Sequence, residues 1–314
     1  MRKINILKIV PLISIFSLIL VFVGCSENVT DKAADKSTEK NIQNVTESAP
    51  PPTTPSESPT AQEYFIKVEG NRPFAVAFDN LGAMYMVTAP TSGDGTLSKV
   101  SADGTVTELA TLEGSFIGPG IDVDNDGNAY ITVGNKLLKV SPEGNISVIA
   151  EGFSRCFDVK IGSDDNLFVA DDVEATIYSV SPSGEKSVFY KGEKKGNYII
   201  TSLIFDKDNN RLYAKENNRI LSFDISGNTE NANPVLVADN LDMFYLCMDS
   251  QNNICLSSPN TGNIQRLDAN GNATKVNTSP LPTPIGLASG GKGFDKDYLY
   301  VCVRDGIVKI PILN

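Results

Sequence analysis

One short pattern returns six times between residues 62 and 314, and it limits strongly what this chain can fold into. In each copy a hydrophobic stretch ends in a polar turn, and a marker residue, usually aromatic, follows the turn. The markers are Tyr85, Tyr130, Phe168, Tyr213, Cys255 and Tyr300. Successive markers are separated by 45, 38, 45, 42 and 45 residues. A period in this range suits one four-stranded propeller blade, so the sequence predicts an all-β, six-bladed β-propeller.

The order of strands within a blade follows from the turns. Each marker is predicted on the second strand, after a hairpin such as Asp126-Gly127, and a third strand, a second Gly turn and a fourth strand come next. In the sixth copy only four residues follow Ile310. Residues 64–70 resemble the fourth strand of the first blade, at 110–114. We therefore expect residues 62–70 to supply the outer strand of the last blade and to close the ring.

The N-terminal segment has the pattern of a secretory signal. Basic residues precede an apolar run in residues 1–24, which is too short for a confident membrane span. Its end, Phe22-Val23-Gly24-Cys25, resembles the bacterial lipobox, and this resemblance implies that Cys25 is lipidated. An ordinary signal peptide with an incidental cysteine is the alternative.

Residues 25–61 have the composition of a tether. After Cys25 the segment contains no aromatic residue and is rich in Ser, Thr, Glu, Asn, Lys and Pro, so it cannot bury enough apolar surface to fold. The expected organisation is a signal at 1–24, a lipidated Cys and disordered tether at 25–61, and a propeller at 62–314. The sequence thus predicts a monomeric lipoprotein of the bacterial cell envelope, extracytoplasmic and held by its lipid.

Charge and composition exclude several functions. The net charge is −11, and loss of the signal with its three basic residues brings it to −14, which disfavours nucleic acid and anionic lipid as partners. The chain has no histidine, so Ser-His-Asp and Cys-His catalysis and imidazole metal sites are excluded. Cys247 and Cys255 flank the fifth hairpin, where either a disulfide or two free thiols are compatible with the sequence.

The blade pattern resembles three groups of propellers: the senescence-marker and gluconolactonase-like hydrolases, the virginiamycin B lyases and the NHL-repeat proteins. Residues 284–291, followed by 298–301, are most similar to the gluconolactonase-like group. That resemblance implies a divalent cation such as Ca²⁺, held in the central channel by Glu, Asn and Asp at the starts of inner strands. The corresponding positions here are Arg72-Pro73-Phe74, Thr201-Ser202 and Phe244-Tyr245, and none of them carries the expected carboxylate or amide.

Four charged residues are nevertheless predicted at or near inner strands: Arg155, Asp122, Asp158 and Lys160. Buried charges must be paired or must ligate something. One hypothesis is an Asp122–Lys160 or Arg155–Asp158 pair that holds neighbouring blades together. The other is a polar site in the channel mouth, where Asp122 and Asp158 would be the metal ligands.

The loops that enter the inner strands or join the second strand to the third combine aromatic residues with arginine, as interface anchors do. With the channel residues, the candidate site comprises Arg72, Phe116, Asp122, Arg155, Asp158, Lys160, Tyr198, Phe244 and Arg304. We expect a non-catalytic binding module for a protein, glycan or small molecule. The alternative is a divalent-metal-dependent, gluconolactonase-like hydrolase with a rearranged site.

Overall fold

A computed structural model describes residues 63–90, 93–196, 199–226, 232–268 and 270–312. These residues belong to one compact unit, residues 57–314, and contain 24 β-strands. In these ranges no helix is long and apolar enough to cross a membrane. The signal and the tether predicted at residues 1–61 lie outside the described residues.

The strands form six four-stranded antiparallel sheets arranged as the blades of a closed ring. The first three blades contain β2 (Arg72–Phe78), β3 (Met84–Ala89), β4 (Gly95–Val100) and β5 (Val106–Leu112); β6 (Ile121–Val123), β7 (Ala129–Val133), β8 (Lys136–Val140) and β9 (Ile146–Glu151); and β10 (Cys156–Ile161), β11 (Leu167–Asp171), β12 (Thr176–Val180) and β13 (Lys186–Lys191).

The other three blades repeat this order. They contain β14 (Ile200–Asp206), β15 (Arg211–Glu216), β16 (Arg219–Asp224) and β17 (Val235–Ala238); β18 (Tyr245–Met248), β19 (Ile254–Ser258), β20 (Asn263–Leu267) and β21 (Ala273–Lys275); and β22 (Leu287–Ser289), β23 (Tyr298–Val303), β24 (Gly306–Pro311) and β1 (Tyr64–Lys67). The predicted six-bladed propeller is confirmed, and all six markers lie on second strands.

The ring is closed by the N-terminal strand, as the sequence predicts. β1 pairs with β24, opposing Tyr64 to Val308 and Ile66 to Ile307. The hydroxyl of Tyr64 also donates a hydrogen bond to Asp305 Oδ1 at 2.8 Å. The last blade therefore joins residues from opposite ends of the described chain.

Hydrophobic packing between neighbouring blades holds the ring together. Buried side chains such as Val87 and Leu97 of the first blade meet Ile131 of the second in one cluster, and four similar clusters continue around the ring. Burial of side chains of this size stabilises a fold by about 1.5–3 kcal/mol each. Because the clusters span blade boundaries, each blade depends on its neighbours.

The Gly of the second turn is required by a close approach to the preceding blade. Gly144 and Gly184 have φ of +90° and +88°, a region that side chains rarely adopt. A Cβ at Gly144 would lie 2.4 Å from the carbonyl oxygen of Leu109, and one at Gly184 would lie 2.3 Å from that of Ile149. The repeated Gly thus lets each turn pack on the outer strand of the blade before it.

Candidate functional site

The inner strands β2, β6, β10, β14, β18 and β22 surround a central channel. We call the end where the chain enters these strands the loop face, and the end where hairpins join them to the second strands the hairpin face. Two cavities are lined by all six inner strands or their ends and therefore lie on the ring axis. One, of about 30 Å³, lies midway along the channel, and the other, of about 270 Å³, lies at the hairpin face.

Asp158 joins the third blade to the fourth at the middle of the channel. Its Oδ2 accepts hydrogen bonds from the Leu203 N–H at 2.8 Å and the Ser202 hydroxyl at 3.2 Å. Its Oδ1 accepts from the N–H of Val159 at 2.8 Å. Gly120 makes room for this carboxylate, because a Cβ there would lie 2.3 Å from Asp158 Oδ1.

Lys160 places its ammonium beside Asp158. Nζ lies 2.9 Å from Asp158 Oδ1 and also donates to the carbonyls of Val159 at 2.9 Å and Ile121 at 3.3 Å. Burial by itself lowers the pKa of Lys160, but the carboxylates of Asp158 and Asp122 outweigh it, so the pKa is raised. The three bonds match the three hydrogens of the ammonium group. With its pKa raised, the lysine remains a cation inside the channel.

Asp122 links the second blade to the third. Its Oδ2 accepts from the Ile161 N–H at 2.9 Å, and its Oδ1 accepts from the Val123 N–H at 3.0 Å. Burial raises the pKa of Asp122, and the charges of Lys160 and Lys207 oppose that rise. The side chain lies deep within the ring, where the loss of bulk water disfavours the charged form of the carboxyl group. Part of the side chain is nevertheless accessible from the channel.

The ion pairs differ from the predicted ones. The structure pairs Lys160 with Asp158, which lies two residues before it on β10, where side chains share one face of the strand. Arg155 forms two hydrogen bonds with Asp172, Nε to Oδ1 at 2.7 Å and Nη2 to Oδ2 at 2.5 Å. The predicted pairing of Arg155 with Asp158 is therefore wrong. The underlying hypothesis, that inner-strand charges hold neighbouring blades together, agrees with the bonds that Asp122 and Asp158 make across blade boundaries.

The channel does not fit the calcium site that the resemblance implies. Both oxygens of Asp158 already accept hydrogen bonds, and Ser202, at one of the corresponding positions, is buried and bonded to Asp158. Calcium requires six to eight oxygen ligands. In the described ranges, no group of three or more Asp, Glu, Cys or His side chains is arranged to hold a metal ion.

Arg72 lies at the loop-face end of the channel. Its Nη2 donates to the Thr283 carbonyl at 2.8 Å, and its guanidinium lies 5.6 Å from the ring centre of Phe74. Its Nε is buried and has no hydrogen-bond partner among the described residues. Burial lowers the pKa of Arg72, as does the charge of Arg304, while Cys302 and Tyr245 oppose the shift.

Aromatic residues pack together beside Arg72. The rings of Phe157, Phe244 and Tyr245 lie 5.3–6.0 Å apart, and Phe157 and Tyr245 are buried. The buried Lys215 lies 5.5 Å from the ring centre of Phe244. Loss of water lowers the pKa of Lys215 to about 8, and Asp172 opposes this. Sequence reasoning missed Lys215 because the alternating pattern of β15 gives no sign that a charged side chain there is buried.

The remaining predicted residues divide into three groups. Phe116 fills space between the first two blades, where a Cβ on Gly95 would lie 2.6 Å from its ring. Arg304 is exposed on the loop face. Tyr198 and Cys25 lie outside the described residues. The sequence also left open a Cys247–Cys255 disulfide; the two residues oppose each other across β18 and β19 as free, buried thiols.

Comparison with known proteins identifies the class of fold. No protein-family model and no curated protein matches this chain. Among solved structures, a gluconolactonase from Xanthomonas campestris is similar with a TM-score of 0.63 and 15% identity, covering 78% of this chain and 87% of its own. The calcium-binding protein regucalcin from Agrobacterium tumefaciens has a TM-score of 0.61 and 17% identity, covering 78% and 90%.

A catalytically inactive virginiamycin B lyase from Staphylococcus aureus is also similar, with a TM-score of 0.56 and 15% identity over 79% of this chain and 98% of its own. At these identities the likeness is one of fold. The chain is a six-bladed propeller whose structural neighbours are gluconolactonase-like, regucalcin-like and virginiamycin B lyase proteins.

Proposed function

We propose that this protein is a non-catalytic binding module. One observation carries the proposal: at the centre of the channel, Lys160 is bonded to Asp158 and to two carbonyl groups. A fixed ammonium there repels a divalent cation and engages the carboxylate that would bind it. The chain also has no histidine, the residue on which general acid–base catalysis most often depends.

The loop face is the proposed binding surface. Arg72 supports this assignment because its buried Nε has no partner among the described residues, and buried polar atoms in native proteins are normally satisfied. Phe244 and the exposed Arg304 lie on the same face. Aromatic residues and arginine together are enriched at the centres of protein interfaces. The partner is a protein, a glycan or a small molecule that presents an acidic group to Arg72.

A cation titration tests the absence of a metal site. We expect the melting temperature of the purified protein to be the same in EDTA and in saturating Ca²⁺, Mg²⁺, Mn²⁺ or Zn²⁺. A specific ion at one hundred times its Kd would stabilise the fold by about 2.7 kcal/mol. A saturable increase with one of these ions that disappears in Asp158→Asn would contradict the binding-module proposal. Lys136→Met, an exposed change outside the channel, serves as the control.

A metal-dependent, gluconolactonase-like hydrolase is the second candidate function. The similarity to the Xanthomonas campestris gluconolactonase and to the calcium-binding regucalcin supports it. In this chain the activity requires Asp158 to exchange Lys160 for a cation. Hydrolysis of δ-gluconolactone in Ca²⁺, Mn²⁺ or Zn²⁺, lost in Asp158→Asn, would establish it, whereas no turnover with any ion would leave the binding module.

We also propose that the propeller is held at the bacterial cell envelope by a lipid on Cys25. The lipobox-like sequence and the tether composition support this localisation. On expression in a bacterium, the wild-type protein should incorporate labelled palmitate and sediment with membranes. Cys25→Ala should abolish both, while Cys302→Ala, which changes another cysteine, should leave both intact.

A further inference from the structure

The larger channel cavity lies at the hairpin face, opposite the proposed binding surface. Its volume of about 270 Å³ is just below the lower end of the range for small-molecule pockets, about 300 Å³. All six blades contribute to its wall, so the ring as a whole holds its shape. It can therefore accept a ligand of modest size.

The wall of this cavity combines apolar side chains with polar and charged groups. Val76, Ile204, Leu246 and Leu287 line it, and the partly exposed Phe78, Phe205 and Met248 lie at the ends of their inner strands. Small-molecule sites typically combine apolar side chains with a few polar groups that fix the orientation of the ligand. An apolar body of the ligand would fit against these side chains.

Three polar groups in the wall retain bonding capacity. The Ser289 hydroxyl oxygen is buried and has no hydrogen-bond partner among the described residues. Lys207 is exposed at the rim, and neither it nor Asp122 belongs to an ion pair in the described part of the chain. Each oxygen of Asp122 accepts one backbone N–H and keeps a free lone pair.

The other charges near the cavity are already engaged. Lys160 has its three acceptors, and Asp158 faces the narrower cavity above. The carboxylate of Asp206, beside Lys207, accepts the N–H groups of Asp208 and Asn209 and thereby holds the hairpin turn. What remains for a ligand is one ammonium, one hydroxyl and one carboxylate.

From this arrangement we infer that the hairpin-face cavity binds a small zwitterion with an apolar body, of the apolar α-amino-acid class. The ligand carboxylate bonds to Lys207 and to the Ser289 hydroxyl. Its ammonium bonds to Asp122, and its side chain packs among Phe78, Phe205 and their apolar neighbours. A zwitterion places an opposite charge beside both charges of the wall, which a simple anion or cation cannot do. This site is independent of the loop face and of the proposed function.

Three matched probes test the inference by calorimetric titration of the purified protein. Phenylalanine carries both charges, 3-phenylpropionate lacks the ammonium, and 2-phenylethylamine lacks the carboxylate. We expect phenylalanine to bind at least about tenfold more tightly than either single-charge probe, because hydrogen bonds to charged groups contribute about 1.5–3 kcal/mol.

The variants should separate the two charges. Lys207→Met should weaken phenylalanine and 3-phenylpropionate about tenfold or more and leave 2-phenylethylamine unchanged. Asp122→Asn should weaken phenylalanine and 2-phenylethylamine and leave 3-phenylpropionate unchanged. Ser289→Ala should weaken the two carboxylate probes, and Lys136→Met, an exposed change outside the cavity, should affect none of them.

Two results would overturn the inference. One is the absence of saturable heat with phenylalanine. The other is equal affinity for the three probes, insensitive to Lys207→Met, which would mean that the cavity takes apolar bodies without recognising charge. Lys207 is exposed, so its variant should fold even where Asp122→Asn does not.

Discussion

At the scale of single residues, burial decides what the charged groups of this propeller can do. Asp158 and Lys160 form an ion pair inside the channel. Lys215 is nearly inaccessible to solvent, at 4% exposure, and its pKa is lowered to about 8 by the loss of water. The ordinary value of a lysine is 10.5. The folded state therefore releases this proton far more readily than the unfolded chain does.

Lys215→Met should stabilise the protein at neutral pH. Below pH 8 both states carry the proton, and the folded state bears the full cost of burying it, at most about 3 kcal/mol. As pH rises from 8 toward 10.5, only the unfolded chain keeps the proton, so wild-type stability increases and the advantage of the variant disappears. Denaturant unfolding at pH 7, 9 and 10.5 measures this.

Lys136→Met is the control for that experiment, because Lys136 is exposed at the start of its strand. Its effect should be small and constant with pH. A difference between Lys215→Met and wild type that stays the same from pH 7 to 10.5 would show that the lysine is not destabilised by burial.

At the scale of elements, β1 completes the last blade and protects its edge. Phe65 on this strand makes edge-on contacts with Phe294 at 5.9 Å and Tyr300 at 5.2 Å, and Ile66 is buried. Four residues near the start of the described chain therefore stabilise a blade built from its end. An exposed β24 would be a template for pairing with other chains.

Deletion of residues 1–70 should destabilise the propeller, while deletion of residues 1–61 should not. Loss of the buried Ile66 and the partly buried Phe65 side chains predicts a decrease of about 2–5 kcal/mol in the free energy of unfolding. Urea unfolding measures this decrease, and size-exclusion chromatography should show association through the freed edge. Equal stability of the two truncated proteins would mean that β1 contributes little to ring closure.

Substitution of two turn glycines by alanine should destabilise the propeller to different extents. Gly184 and Gly196 have similar φ, +88° and +84°, but a Cβ at Gly184 would lie 2.3 Å from the carbonyl of Ile149, whereas a Cβ at Gly196 would meet no other described residue within 4 Å. Gly196→Ala should cost about 1–2 kcal/mol from backbone conformation alone. Gly184→Ala should cost clearly more in thermal unfolding. Equal costs would show that the neighbouring blade can yield.

At the scale of the whole molecule, polar bonds around the channel join blade to blade. The side chain of Asp122 bonds to the third blade, Asp158 to the fourth, and the Ser202 hydroxyl accepts from the Leu246 N–H of the fifth at 3.0 Å. The hydroxyl of Ser257 in turn donates to the carbonyl of Ile285 at 2.7 Å. These contacts set the alignment of the blades that the apolar clusters hold together.

The channel ion pair should show strong coupling between its partners. Asp158→Leu leaves the partly buried ammonium of Lys160 without its nearest carboxylate and should cost at most about 3–5 kcal/mol. Lys160→Met added to it removes the ammonium that has lost its nearest partner, so the double variant should be more stable than Asp158→Leu alone. A double-mutant cycle from urea unfolding measures the coupling. Additive effects would mean that the two charges do not interact.

Much of the fold was predictable because its signals are local. The spacing of the six markers requires only hairpins and a repeat, and the closing role of residues 62–70 follows from their likeness to other outer strands. The candidate site was predicted in part: Asp122, Asp158 and Lys160 do line the channel, and Arg72 and Phe244 lie at its loop-face end.

What the sequence determined by itself is the number of blades, their strand order, and the exclusion of histidine chemistry. Tertiary structure alone decided that Asp122 bonds to Ile161, that Asp158 bonds to Leu203, and that Lys207 and Ser289 share a cavity. The reason is physical: closure of the ring brings together residues 39 to 82 positions apart, such as Asp122 with Ile161 and Lys207 with Ser289. No local pattern along the chain records which of them will meet.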